Sequence, residues 1–217
     1  MPRNITSNLT LYLAAKGCQP SHEAVVSDDR NEPILTLEPL SDAMREGVEG
    51  TGWALSGLQK TTSHQFEGRW EGESTRSAYL FFHRVDGPEE VSIDVYLDET
   101  SRGVSGNLAL VVDLKPLGTL GPVPDVLEAL SAAALRQLPE RVRRPVTLRF
   151  RLADAGSVVE DADAEVRIKV RLPKAVLQKG LESTVQFVRS VTADFGALLD
   201  ADVIRTLSLE DDPLDGA

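Results

Sequence analysis

The sequence has few of the side chains that reactive or metal-binding sites usually require. Its 217 residues include one cysteine and three histidines. The single cysteine, Cys18, excludes a disulfide within the chain, so an oxidising compartment is not implied. Cys18 and His22 have a spacing that could suit a metal ion, but Pro20 separates them and no second ligand pair follows. We therefore predict no metal site.

Catalytic and phosphate-binding motifs are also missing from the sequence. No Gly-x-Ser-x-Gly motif occurs, and the segment around Ser105 is one residue short of that spacing. No glycine-rich loop leads into the lysine that would bind phosphate groups. We expect no cofactor and favour a non-enzymatic protein. An enzyme with an active site assembled from scattered Asp, Glu and Arg side chains stays an alternative.

Positive charge and long apolar runs are scarce as well. The formal net charge is −11 and the isoelectric point about 4.8. Nucleic acids and anionic membranes attract positively charged proteins, so we predict neither as a partner. The aliphatic run at residues 108–112 is among the longest, whereas a membrane-spanning helix needs about 20 residues. With no signal-peptide pattern at the start, we expect a soluble, cytoplasmic protein.

The middle of the chain shows the two-residue period of β-strands from Trp53 onward. Apolar residues alternate with polar ones at 91–97 and again toward residue 114, and further strands are predicted at 79–85, 146–152 and 166–172. Turn residues separate the first three of these segments. The pattern predicts an antiparallel meander with one buried face.

Two longer helices accompany these strands in the prediction. One is expected from a cap at Asp125 to about Leu138, and the other spans residues 175–199. The predicted class is α+β: an antiparallel meander sheet with both helices packed on one face. The core order is β-β-β-α-β-β-α, and it ends in the long C-terminal helix.

The predicted C-terminal helix carries a narrow apolar seam whose members lie four and three residues apart. An amphipathic helix is not stable alone in water, so this seam requires a covering surface. That surface is either the sheet of the same subunit or a second copy of the chain. The residues that we assign to the seam, in the core or at a dimer interface, are Leu181, Val188 and Phe195.

The first 50 residues are predicted to form short strands at 9–14, 24–27 and 34–37 and a short helix capped by Ser41 or Asp42. We predict that residues 1–50 belong to the same domain as the main unit, residues 51–209. Residues 210–217 are predicted to be an acidic, disordered tail.

The order of elements from Tyr79 onward, with the helix near Asp42 placed before it, is similar to the topology of type III secretion chaperones and of YbjN-like proteins. This resemblance implies a partner-binding domain that forms dimers. It is a resemblance of topology, which by itself does not assign a function.

The charge pattern offers one candidate binding surface. Residues 136–174 contain ten Lys and Arg against six Asp and Glu, a net +4 (10 − 6) within a chain of −11. By strand periodicity, five of these cations share one face of the last hairpin. They either form a solvated face that neighbouring strands partly neutralise, or bind an acidic partner segment or an anionic ligand. We call this set the basic stripe: Arg149, Arg151, Arg167, Lys169 and Arg171.

Residues 79–82 break the alternation because both faces of that strand are apolar. Either this strand is covered on both sides, for which we favour the N-terminal segment, or its second face meets a partner. A curved meander closed by a long helix could also enclose a helix-grip-like cavity for a small apolar ligand. The residues that would line such a cavity are Trp53, Phe66, Trp70 and Phe81.

The function predicted from these patterns is a non-enzymatic protein-binding module, adaptor or chaperone-like, whose partner is another protein or a second copy of the chain. The small apolar-ligand carrier is the alternative, and an enzyme of unknown class is the second alternative. The seam, the doubly apolar strand and the missing catalytic motifs favour the binding module.

Overall fold

The structure is a computed structural model that describes residues 10–14, 35–63, 75–85, 87, 90–100, 103–138, 146–151 and 162–208. All structural statements below concern these ranges. Several predictions fall outside them: Cys18, His22, the strand at 24–27, Phe66, Trp70 and the acidic tail at 210–217.

Seven strands form one sheet in which every neighbouring pair is antiparallel. The spatial order is β1-β6-β7-β5-β4-β3-β2, so β1 and β2 are the two edges. β2 contains a bulge between Leu55 and Gly57. The strands β1 to β7 are Thr10–Ala14, Trp53–Ser63, Thr75–Arg84, Val91–Thr100, Gly103–Leu114, Val146–Arg151 and Asp163–Arg171.

Helices pack on one face of this sheet. A short 3₁₀ turn, Leu117–Thr119, follows β5. The α-helices α1 to α5 are Leu37–Glu49, Val123–Gln137, Lys174–Leu177, Leu181–Leu199 and Asp202–Leu207. The order β3-β4-β5-α2-β6-β7-α4 confirms the predicted α+β class, meander and core order. β1 and α1, the two elements described within residues 1–50, join this same sheet and helix layer.

The strands show the alternating burial that a two-residue sequence period predicts. Along β4 every second residue from Val91 to Leu97 is buried, while the residues between them are half-buried. β7 alternates in the same way. The buried side chains of β4, β5 and β7 meet those of α1, α2 and α4 in a single core. Removing this apolar surface from water stabilises the fold by about 25 cal/mol per Å².

The predicted start of α1 was wrong. The helix begins at Leu37, so the described part of the predicted strand, residues 35–37, is not a strand, and Ser41 is a buried position inside the helix rather than its cap. Pro39 is part of this helix. It lies in the first helical turn, where a missing backbone N–H removes no hydrogen bond, so it does not delay the helix.

The predicted start of α2 was also wrong. The helix begins at Val123 and contains Pro124 in its first turn. Asp125 is therefore not the cap but an acidic residue within the first turn. A carboxylate at that place interacts favourably with the positive end of the helix dipole.

The C-terminal helix is not continuous from residue 175 to 199. It divides into the four-residue α3 and the nineteen-residue α4, with Gly180 between them. Gly180 has φ +98°, a left-handed conformation that glycine tolerates and that an α-helix cannot include. The apolar seam therefore lies on one continuous helix only from Leu181 onward.

Candidate functional site

Helices α1 and α4 lie side by side and run in the same direction. Gly47 is next to Val188, and a Cβ atom at Gly47 would lie 2.6 Å from the Val188 Cβ. Three residues further along α1, Gly50 is next to Arg189. The small residues of α1 thus allow a close approach at this end of the pair.

The same two helices also line an open cleft, which extends as far as the Glu46–Arg189 ion pair. It has a volume of about 650 Å³ and is bounded by residues 38–46 of α1 and residues 181–189 of α4. We call it the α1–α4 cleft. Its apolar lining comes from Pro39, Ala43, Leu181 and Val185.

The charged lining of the α1–α4 cleft is mostly acidic. Glu38, Asp42 and Glu46 are each four residues apart on α1, a spacing that places them on one face of the helix. Glu182 faces them from α4, and Arg189 is the one cation of the lining.

Two of these carboxylates already have partners within the protein. Arg189 Nη2 donates to Glu46 Oε1 at 3.1 Å. Arg76 of β3 donates to Glu38 and also forms an ion pair with Glu99 at 3.1 Å. These contacts tie α1 to α4 and to the sheet, and they hold both walls of the cleft in place.

The three seam residues of the C-terminal helix have different environments. Val188 and Phe195 are fully buried in the core of the subunit, so the seam there is covered by the chain's own sheet and helices. Leu181 is 37% exposed and lines the α1–α4 cleft. The structure thus places two of the three in the core and one at a surface.

The basic stripe is partly neutralised by its neighbours in the sheet. Arg167 Nη2 lies 3.1 Å from Asp94 Oδ2 on β4, and its Nε lies 2.5 Å from Glu165 Oε1. Arg149 Nη1 lies 3.3 Å from the same Glu165 oxygen. These four side chains form one half-buried ionic network across β6, β7 and β4.

The remaining members of the basic stripe differ from the paired ones. Lys169 and Arg171 are exposed on β7. The backbone of Arg151 pairs with Asp163, and its side chain lies outside the described part of the structure. Binding of an acidic partner by the stripe stays a prediction.

The carboxyl of Asp94 in this network has a raised pKa. Burial raises the pKa of its carboxyl above 3.8, while the Arg167 guanidinium and a hydrogen bond from Ser92 oppose the rise. Glu165 adds to the rise through like charge. The network therefore includes a carboxyl whose ionised form is disfavoured by desolvation even though a guanidinium is close.

The cavity residues predicted for a ligand carrier are not brought together. Trp53 pairs with Arg84, and Phe81 lies three residues before Arg84 on β3, so Trp53 and Phe81 project from opposite faces of the sheet. Trp53 is 4% exposed beneath the helices, whereas Phe81 is 36% exposed on the other face.

The strand at residues 79–82 has one face in the core and one face outside it. Leu80 and Phe82 are buried. Tyr79 lies on the opposite face with Phe81, and its ring centroid is 4.9 Å from that of Tyr96 on β4. The described parts of the N-terminal segment, which we predicted to cover this second face, lie elsewhere: β1 is at the far edge of the sheet and α1 packs in the core. Residues 1–9 and 15–34 are outside the described ranges.

Sequence reasoning missed the α1–α4 cleft. The spacing of Glu38, Asp42 and Glu46 was visible, but the predicted helix began after Glu38 and so did not connect the three. Within the described residues, no group of three or more His, Cys, Asp and Glu side chains could hold a metal ion. No helix in the same ranges is long and apolar enough to cross a membrane.

The cleft therefore offers an apolar floor, an acidic rim and access from solvent, which suits a peptide segment better than an enclosed small molecule. Comparison with known proteins adds no relative: no protein-family model, no curated protein and no solved structure matches the chain.

Proposed function

We propose that the chain is a non-enzymatic protein-binding module, adaptor or chaperone-like, that binds a segment of a partner protein in the α1–α4 cleft. The observation that carries this proposal is the cleft itself, which α1 and α4 line together and in which Leu181 is 37% exposed. Helices commonly bind such grooves by inserting apolar side chains at helical spacing.

The dimensions of the cleft fit a short helical segment. The eight-residue step from Glu38 to Glu46 corresponds to about 12 Å along α1. That length accommodates roughly two turns of a partner helix, enough for two or three apolar anchors. Leu181 and Val185 are the side chains of α4 against which those anchors would pack.

The homodimer has less support than partner binding. Val188 and Phe195 are buried within the subunit, so they are not available to a second copy without unfolding of the core. The ligand-carrier alternative also has less support, because Trp53 and Phe81 lie on opposite faces of the sheet.

A photo-crosslinking experiment tests the proposal. Benzoylphenylalanine replaces Leu181 in one variant and Leu135 in another, and both are expressed in the native host. Leu135 is the matched control because it is an exposed helical leucine, 48% accessible, on α2. We expect a discrete adduct of higher mass from position 181 that position 135 does not give.

Two results would contradict the proposal. Equal labelling from both positions would mean that the cleft has no special affinity for proteins. A small molecule that copurifies in native mass spectrometry and is lost on unfolding would favour the carrier instead.

A further inference from the structure

We infer that the segment bound in the α1–α4 cleft is a basic amphipathic helix, with Lys or Arg flanking an apolar stripe. This inference rests on the proposed function and specifies the chemistry of the partner. Four carboxylates and one guanidinium line the cleft, so its walls carry a net charge of about −3 at neutral pH. Charge of opposite sign on a partner favours both encounter and orientation.

Part of this negative charge has no ion-pair partner among the described residues. Glu38 and Glu46 pair with Arg76 and Arg189. Asp42 and Glu182 are exposed, and across the described ranges neither forms an ion pair. A bound cation can therefore approach them without displacing an internal partner.

The position of Asp42 in α1 shows that the acidic rim is more than helix capping. Acidic side chains in the first turn interact with the positive end of the helix dipole, which accounts for Glu38 and Glu182. Asp42 and Glu46 lie beyond the first turn, where that interaction has faded. Their four-residue spacing instead continues a row of carboxylates along the wall of the cleft.

The apolar lining and the carboxylates of the cleft together specify the sequence pattern of the partner helix. Leu181, Val185, Pro39 and Ala43 form the apolar lining, and carboxylates stand on both helices beside it. A complementary helix has apolar residues at i, i+4 and i+7 and basic residues on either side of that stripe.

The test measures binding of designed peptides to the full chain by fluorescence anisotropy. The probe has about 14 residues, or four helical turns, with leucine at every third or fourth position and lysine at the flanks. A second peptide replaces each lysine by glutamate, and a third has the composition of the first in an order that destroys the stripe. We expect the first to bind roughly tenfold more tightly than either control, and we expect salt to weaken it.

A charge-reversal pair locates the binding site. The double variant Asp42→Lys with Glu182→Lys should bind the basic peptide roughly tenfold or more weakly and bind the acidic peptide more tightly. The control variant, Asp125→Lys with Glu128→Lys, changes the net charge equally on α2. It should leave both affinities within about twofold, and circular dichroism checks that both variants fold.

The possible failures separate the two proposals. Equal, salt-independent binding of the basic and acidic peptides would overturn the basic-partner inference, and an adduct at position 181 would still support partner binding. A Leu181-dependent dimer in light scattering would assign the cleft to a second copy and overturn the inference. Binding of none of the peptides, with no adduct at position 181, would overturn both.

Discussion

The basic stripe and the α1–α4 cleft carry charges of opposite sign. They differ in which of their charged side chains form ion pairs with other described residues. On the sheet, Arg149 pairs with Glu165 of the neighbouring strand β7, and Arg167 reaches across β5 to Asp94 on β4. In the cleft, Asp42 faces solvent without an ion pair among the described residues. Two residues of the stripe are thus paired within the sheet, whereas Asp42 and Glu182 of the cleft are exposed and form no ion pair among the described residues.

The difference follows from the geometry of the two elements. In an antiparallel sheet, side chains on adjacent strands face each other at about 4.5–5.5 Å between Cβ atoms, so opposite charges pair across the ladder. Side chains four residues apart on a helix lie on the same face. When all of them are acidic, they cannot form ion pairs with one another. A helix face with charges of one sign is therefore more accessible to a partner than a sheet face with a similar density of charged side chains.

The largest predicted effect concerns the crossing that shapes the cleft. Gly47→Ala should destabilise the protein by up to about 3 kcal/mol, because the new methyl group would overlap Val188 and overpacked cores tolerate little displacement. Gly196→Ala is the control, since a Cβ there meets nothing within 4 Å, and it should stabilise α4 by about 0.5–1 kcal/mol. Urea unfolding of both variants measures the difference, and the same sign for both would disprove the close crossing.

The second prediction tests whether the basic stripe is used internally. Arg167→Gln should destabilise the protein by about 1–2 kcal/mol, because it leaves the half-buried Asp94 and Glu165 carboxylates with a weaker partner. The matched variant Lys169→Gln, at an exposed site on the same strand, should change stability by no more than about 0.5 kcal/mol. Chemical denaturation at neutral pH gives both values. Equal small changes would indicate that the Arg167 network is only a surface ion pair.

The third prediction is the pH dependence of the same network. The pKa of Asp94 is raised above 3.8, so the folded state holds this proton more tightly than the unfolded state does. Stability from this group is therefore greatest below pH 3.8 and falls as the pH rises through the folded pKa. Arg167→Gln should raise that pKa further, because Arg167 opposes the shift. Carboxyl-carbon NMR titration measures it, and a midpoint at or below 3.8 would contradict the desolvation argument.

The smallest predicted change in stability is that of substituting the exposed acidic residues of the α1–α4 cleft. Asp42→Asn with Glu182→Gln should alter the free energy of unfolding by no more than about 0.5 kcal/mol, since both side chains are exposed. The pair contrasts with Arg167→Gln: the cleft residues should matter to binding and little to folding. A loss comparable to that of Arg167→Gln would remove the distinction between the two surfaces.

The sheet could be predicted from the sequence because its signal is local. Each residue of β4 and β7 alternates in polarity with its neighbours, so the buried face follows from the strand alone. Pairing of consecutive strands then follows from the turn residues between them. The predicted meander and core order therefore needed only such local patterns, together with the helical spacing of the apolar residues in α2 and α4.

Helix boundaries and the cleft could not be predicted in the same way. Proline in a first turn looks like a break but fits the helix, as Pro39 and Pro124 show. Gly180 interrupts an apolar spacing that continues unchanged through it. The cleft depends on how α1 approaches α4, a contact between segments more than 130 residues apart, such as Glu46 with Arg189 at a separation of 143.

The most direct test of the account is NMR mapping of the basic peptide on the full, isotope-labelled chain. If the α1–α4 cleft is the binding site, amide shifts should change at residues 38–46 and 181–189 and stay constant at Lys169 and Arg171. Changes confined to β6 and β7, or no changes at saturating peptide, would contradict it.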